Sequence, residues 1–170
     1  MQACLPLLRR GGGRIVNISS MNGTIALPMV GGYSASKFAL EALSNTLRIE
    51  LRPWKIPVTV IRPGQVTTAI FDKARVALQE RSQQIPAELQ RGYGPLFARS
   101  ARLNERGARR ATSPEKVARV VLKALRASWP RNHYLVGADA IWLDIAHDVL
   151  PMRLLERLIA RVSGVMKGRA

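Results

Sequence analysis

Tyr33 and Lys37 stand four positions apart, a spacing that puts two side chains on one face of a helix, a single turn from each other. An ammonium held beside a phenol favours loss of the phenolic proton and brings the tyrosine toward general acid–base work at neutral pH. Ser20 adds a hydroxyl where the preceding apolar run ends. If the intervening loop folds back so that Ser20 and Tyr33 meet at one oxygen, one group polarises a carbonyl or alcohol while the other moves its proton. The spacing alone carries little, since Tyr93 and Tyr134 are followed four residues later by Phe97 and Ala138.

The elements that would position these groups are legible around them. Residues 14–19 read as a short buried strand, and Ser20 opens a loop. A helix then carries Tyr33 and Lys37 near its start and continues with Leu40, Leu43, Leu47 and Leu51 at three- and four-residue steps, a stripe expected to be buried. It must stop before Pro53. Residues 57–62, bounded by prolines and rich in β-branched side chains, read as the next buried strand. Pro63 and Gly64 then turn the chain at that strand's C-terminal end, where ligands sit in open α/β sheets. Helical pieces are expected over 71–83 and 86–91, followed by an arginine-rich run through Arg99, Arg102, Arg106, Arg109 and Arg110. Ser113 and Pro114 begin a helix as N-cap and first-turn proline, with Val117, Val120, Val121, Ala124 and Leu125 on one face. Residues 133–136 read as the last strand.

The ordered combination of these features resembles the classical short-chain dehydrogenase/reductase family. The matching segments are residues 13–20, the run Tyr33, Ser34, Ala35, Ser36, Lys37, Phe38, Ala39, Leu40, residues 47–51, and Pro63, Gly64, Val66 and Thr68. The interval from Ser20 to Tyr33 is the family's own, which selects Ser20 over Ser19. The resemblance covers the chain from Met1 to about Val136. It implies an α/β chain that forms the C-terminal half of a doubly wound, Rossmann-type three-layer fold with parallel strands. Residues 1–136 would be the catalytic half, with a substrate-loop region over 69–112, and 137–170 a helical extension. By the same resemblance Ser20, Tyr33 and Lys37 are catalytic, Ser20 and Tyr33 hold the substrate oxygen, and Tyr33, Lys37, Pro63, Gly64, Val66 and Thr68 bind NAD or NADP. Val66 would offer its backbone to the nicotinamide carboxamide. Leu27, Met29, Phe71 and Leu96 are candidate apolar substrate contacts. The implied reaction interconverts a primary or secondary alcohol and its carbonyl, and the branch most similar is that of the retinol and hydroxysteroid dehydrogenases, whose substrates are lipophilic. A homo-oligomer is implied through the long helix.

The chain begins as though partway through such a fold. Residues 1–10 read as the last turns of a helix, and Gly11, Gly12 and Gly13 turn it into the first strand. No glycine-rich pyrophosphate turn of the kind that opens a dinucleotide fold is present, and the asparagine that completes the family's catalytic tetrad has no counterpart. Asn17 reads instead as a strand-end residue holding neighbouring backbone. The first strand would then have an open edge, which invites association with other chains. These features fit an N-terminally truncated dehydrogenase. The rival reading is a non-catalytic paralogue that acts as an interaction module or persists as a relic.

Composition is that of a globular chain, with 47% hydrophobic residues in 170. The net charge of +16 comes from 27 lysines and arginines against 11 acidic residues. A basic stripe is an electrostatic footprint for nucleic acid, but no recognition motif accompanies it and aromatics are sparse, so no specific nucleic-acid partner is expected. Cys4, the sole cysteine, is expected to be a small packed residue. His133 and His147 lack the company a metal site needs, so no metal is expected. The first ten residues do not form a signal peptide, and a cytoplasmic location follows as the default. In the tail, Leu154, Leu155, Leu158, Ile159 and Val162 alternate with Arg153, Arg157 and Arg161, a basic amphipathic helix suited to packing on its own domain or to peripheral contact with an anionic membrane.

Overall fold

The computed structural model describes residues 2–69, 73, 76, 77, 79, 80 and 83–165. Three strands, β1 (Ile15–Ile18), β2 (Val58–Pro63) and β3 (His133–Val136), form a parallel sheet in the order β1-β2-β3. Ile15 lies opposite Val58, and Val60 lies opposite His133. The helices are α1 (Leu5–Gly11), α2 (Gly31–Glu50), α3 (Ala87–Ala108), α4 (Pro114–Arg126), α5 (Ala138–Val149) and α6 (Met152–Ser163), with short 3-10 turns at Gln2–Cys4, Met21–Gly23 and Arg52–Trp54.

Alternation along the strands decides which layer each residue joins. Ile15 and Val58 pack with Leu47, Leu51 and Ile56 on the face covered by α2, with Leu5 and Leu8 of α1 against them. Val16, Ile61, Tyr134 and Val136 face the other way and meet Val117, Val120, Val121 and Ala124 of α4. The result is the expected three-layer α/β arrangement. Polar bonds fasten the layers at their rims. Arg14 donates to the carbonyls of Ala124 and Ala127, supplying a cation to the C-terminus of α4. Arg48 of α2 donates to Val58 O and Asn132 O, and desolvation holds its guanidinium below the ordinary value, with Glu41 opposing that effect and Arg62 adding to it. Among the described residues no strand pairs with the outer edge of β1, and Ile18 there is 44% exposed.

Four local expectations change. The helix through the arginine-rich run is continuous from Ala87 to Ala108 and carries Pro95 inside it, because the Arg, Leu, Ala and Glu residues that dominate the run have good helix propensity, which outweighs one proline. Leu43 is 49% exposed, because the buried face of α2 is centred on Ser34, Glu41, Ser44 and Leu47 and Leu43 is rotated about 100° from Ser44. Leu125 is likewise exposed, beside the buried Ala124. Cys4 is exposed, since it sits in the 3-10 turn ahead of α1 rather than under a layer. The helical piece expected over 71–83 lies largely outside the described residues.

The start of α4 follows its sequence signal. The Ser113 hydroxyl accepts from Lys116 N–H at 3.4 Å. The Glu115 carboxylate is held below the usual range, first by its own backbone N–H and next by the Ser113 hydroxyl. A lowered folded-state value means that any stability this carboxylate contributes is present above its unfolded value and is lost as pH falls through the folded one. Ser113→Ala is expected to destabilise the fold by about 1 kcal/mol in urea unfolding and to raise the Glu115 titration midpoint read by NMR.

Candidate active site

Ser20 lies two residues beyond β1 in an extended conformation and is the N-cap of the turn that follows, its Oγ accepting from Asn22 N–H at 3.2 Å. The turn is stitched to α2 by Asn22 Nδ2, which donates to Ser34 Oγ at 3.4 Å between two buried residues. Tyr33, the neighbour of Ser34, stands in the first turn of α2 and is 44% exposed. One turn on, Lys37 Nζ donates to Ile18 O at 3.0 Å and lies 5.6 Å from the centroid of the Tyr33 ring. Lys37 thus joins the start of α2 to the end of β1, two residues before Ser20. These bonds bring the three residues into one neighbourhood at the C-terminal ends of the strands. Among the described residues the Ser20 hydroxyl and the Tyr33 phenol do not bond each other.

The Pro63–Gly64 turn leaves the neighbouring strand at the same end of the sheet. Gly64 N–H donates to Val136 O at 2.8 Å, Thr112 N–H to Gln65 O at 2.8 Å and Thr67 N–H to Thr112 O at 2.9 Å. Val66 bridges Thr112 in parallel register, and its own N–H and C=O take no part in those bonds. Thr68 is exposed. Leu27 and Met29 are half-buried between the Ser20 turn and α2, with Met29 in the left-handed region at φ 69°. Leu96 is half-buried in α3, and Phe71 lies outside the described residues. A cleft of about 340 Å³ between α3 and the end of α6 is lined by Pro95, Ala98, Arg99, Arg102, Leu103, Arg106 and Gly164, none of them in the set singled out for proton transfer or cofactor contact.

Residues beyond the trio help hold this region together. Ser34, Lys37, Glu41 and Ser44 form a polar stripe on the sheet-facing side of α2, and Ser34, Glu41 and Ser44 are buried. Glu41 receives Arg62 at both oxygens, Nε to Oε1 at 2.9 Å and the second guanidinium nitrogen to Oε2 at 3.0 Å. Arg62 also reaches Asp144 of α5 at 3.5 Å. Asn17 Nδ2 donates to Ser44 Oγ at 2.8 Å, so it ties β1 to α2 through a side chain rather than holding backbone as expected, because strand alternation points it at the helix. A Cβ on Gly23 would stand 2.6 Å from Ser19 Oγ and 3.0 Å from Glu41 Cγ, so the Ser20 turn rests directly on the acid. The sequence signal for this network was the polar period of 34, 37, 41 and 44, running beside the leucines. Among the described residues no group of acidic, cysteine or histidine side chains could hold a metal.

Comparison with known proteins identifies this arrangement. A family model described as short chain dehydrogenase matches residues 1–79. The chain is 36% identical over 140 residues to 3-amino-tetrahydro-pyrrolizinone reductase of Xenorhabdus hominickii, which covers 82% of this chain and 49% of that protein. To retinol dehydrogenase 5 of Mus musculus it is 35% identical over 162 residues, 92% of this chain and 51% of that protein. The chain belongs to the classical short-chain dehydrogenase family. A solved short-chain dehydrogenase from Streptomyces avermitilis superposes with a TM-score of 0.65 at 25% identity, over 98% of this chain and 56% of that one. This short-chain dehydrogenase chain spans about half the length of the curated relatives it matches.

The network under the Ser20 turn generates a contrast between two residues of α2. Glu41→Ala leaves Arg62 largely buried without its bidentate partner and is expected to destabilise by roughly 3 kcal/mol. Leu43→Ala removes an exposed side chain and is expected to change stability by less than about 0.5 kcal/mol. Urea unfolding of the two variants checks both values.

Proposed function

We propose that these residues perform the proton-transfer half of a nicotinamide-dependent interconversion of an alcohol and its carbonyl. The observation that carries the reading is the bond from Lys37 to Ile18 O, with Tyr33 on the same face of α2 and Ser20 two residues beyond that carbonyl. In the reductive direction Tyr33 gives its proton to the carbonyl oxygen as hydride arrives at the carbon; oxidation runs the same path backwards. Ser20 holds that oxygen by a hydrogen bond. The ammonium of Lys37 stabilises the charge left on the phenolic oxygen and is placed to meet a cofactor ribose hydroxyl.

The fit of a dinucleotide is uneven across the chain. On the reaction side the N–H and C=O of Val66, which find no partner among the described residues, and the exposed hydroxyl of Thr68 offer polar contacts for a carboxamide and a phosphate, in the turn opened by Pro63 and Gly64. NAD or NADP, when bound, supplies or accepts the hydride. No glycine-rich turn in this sequence corresponds to the pyrophosphate cradle.

The similarity to a retinol dehydrogenase supports a lipophilic alcohol or ketone, with a steroid- or retinoid-like substrate in view. Residues 1–136 are the catalytic half in this account, 69–112 the segment nearest the substrate, and 137–170 an extension. The outward face of α2, with Phe38, Leu43 and Ile49 exposed, suits contact with a second copy. On α6, Leu154, Leu158 and Val162 are exposed beside Arg153, Arg157 and Arg161, which supports peripheral contact with an anionic membrane. Among the described residues no helix is long and apolar enough to cross a membrane, and a cytoplasmic location is part of the same reading. The second reading, a non-catalytic interaction module, is favoured by the outer edge of β1, unpaired among the described residues, and the exposed Ile18 upon it.

Two measurements separate these readings. In the turnover-competent protein, Tyr33→Phe is expected to lower kcat by at least ~100-fold, the upper part of what a positioned acid–base group contributes, with circular dichroism unchanged; retained turnover removes the mechanism. For the 170-residue chain on its own, a fluorescence titration with NADH or NADPH is expected to show no saturable binding, and micromolar affinity would mean that the reaction-side contacts suffice.

A further inference from the structure

The turn that follows β2 is held by a carboxylate from a distant part of the sequence. Asp139 lies in the first turn of α5, 74 positions after Gln65, and its Oδ2 accepts from Gln65 N–H at 2.6 Å. A backbone amide donating to a carboxylate is charge-assisted and is stronger than an amide–amide bond. The surrounding geometry is built for that contact. A Cβ on Gly64 would collide with the Asp139 carboxyl group, and a Cβ on Gly137, where φ is +109°, would stand 2.5 Å from Asp139 Oδ1. Two glycines, one on each side, leave the space that the carboxylate fills. Gly64 N–H is meanwhile taken by Val136 O, and Gln65 O by Thr112 N–H, so the turn is gripped on three sides. The same helix sends Asp144 to Arg62, the residue just ahead of Pro63.

We infer that Asp139 is a positioning residue: it fixes the backbone of residues 64–67 so that the N–H and C=O of Val66, unpartnered among the described residues, are presented to a ligand. The role rests on the dehydrogenase reading of this turn, in which Val66 and Thr68 meet the nicotinamide end of the cofactor, and it adds a residue that no motif of the chain marks. Asp139 does not touch the reacting atoms. Its carboxylate fixes the amide of Gln65, next in the chain to Val66, and α5 thereby couples the end of the chain to the site.

Backbone amide exchange, read by NMR on the 170-residue chain, tests this without cofactor, so its outcome is independent of whether the dehydrogenase reading survives Tyr33→Phe. Asp139→Ala is expected to speed exchange of the Gln65 and Thr67 amides about tenfold or more, as loss of a hydrogen bond to a charged acceptor implies. The amides of Ile61 in β2 and Leu143 in α5 are expected to stay within about twofold of the parent chain. Asp139→Asn keeps an oxygen acceptor and is expected to restore most of the protection. Gly64→Ala leaves Asp139 in place but displaces its carboxylate, and is expected to speed Gln65 exchange as Asp139→Ala does; it supplies the answer if Asp139→Ala does not fold. Unchanged exchange at Gln65 in Asp139→Ala overturns the inference. Equal acceleration throughout α5 overturns it too, because that marks a residue that only stabilises its own helix.

Discussion

A guanidinium set between two carboxylates under the end of β2 is the constraint on which the rest depends. Arg62 grips Glu41 with two hydrogen bonds and leans on Asp144, and the three belong to β2, α2 and α5. Charges this far from water are tolerated only when paired and hydrogen-bonded, so the pair permits little freedom in how α2 lies on the sheet. Glu41 is one turn along α2 from Lys37, and Lys37 is one turn from Tyr33; fixing the first orients the other two. The Ser20 turn rests on the same acid through Gly23. The residues assigned to chemistry are therefore carried by residues assigned to none.

That division explains what could be read from the chain without its fold. Strand positions, the long helix with Tyr33 near its start, the N-cap at Ser113 and the turn at Pro63 and Gly64 all follow from local rules of alternation, propensity and capping. The trio proposed for chemistry stood out because its residue types are rare together in that order. The buried face of α2 was misread where leucines were counted alone. Ser34, Glu41 and Ser44 face the sheet because their partners, Asn22, Arg62 and Asn17, come from other elements. A polar residue's reason for burial is tertiary, and no local pattern reports it. Asp139 is harder still, since its acceptor role is set by a turn 74 positions away. The arginine-rich run was placed after the helical pieces rather than within one although most of its residues are good helix formers, and the exposed Cys4 shows that a small apolar residue near a helix start need not be packed.

The sheet is continuous with the family's architecture and also shows where support thins. β2 is flanked on both sides and its Val60 and Ile61 are fully buried, while β1 is paired on one side only among the described residues. The edge strand nonetheless carries Ile18, whose carbonyl receives Lys37, and Ser20 just beyond it. Part of the site thus sits on the less supported strand, held there by α2 rather than by a neighbour in the sheet. In the proposed reading the reaction side of a dinucleotide site lies in this chain, which spans about half the length of its curated relatives.

The central claim is that Ser20 and Tyr33 address one oxygen, and a structure of the turnover-competent protein with an unreactive ketone bound tests it most directly. The account predicts the ketone oxygen within hydrogen-bond reach, about 2.6–3.2 Å, of both Ser20 Oγ and the Tyr33 phenol, with Lys37 still on the tyrosine's side of α2. A ketone seated with its oxygen on neither hydroxyl would contradict it.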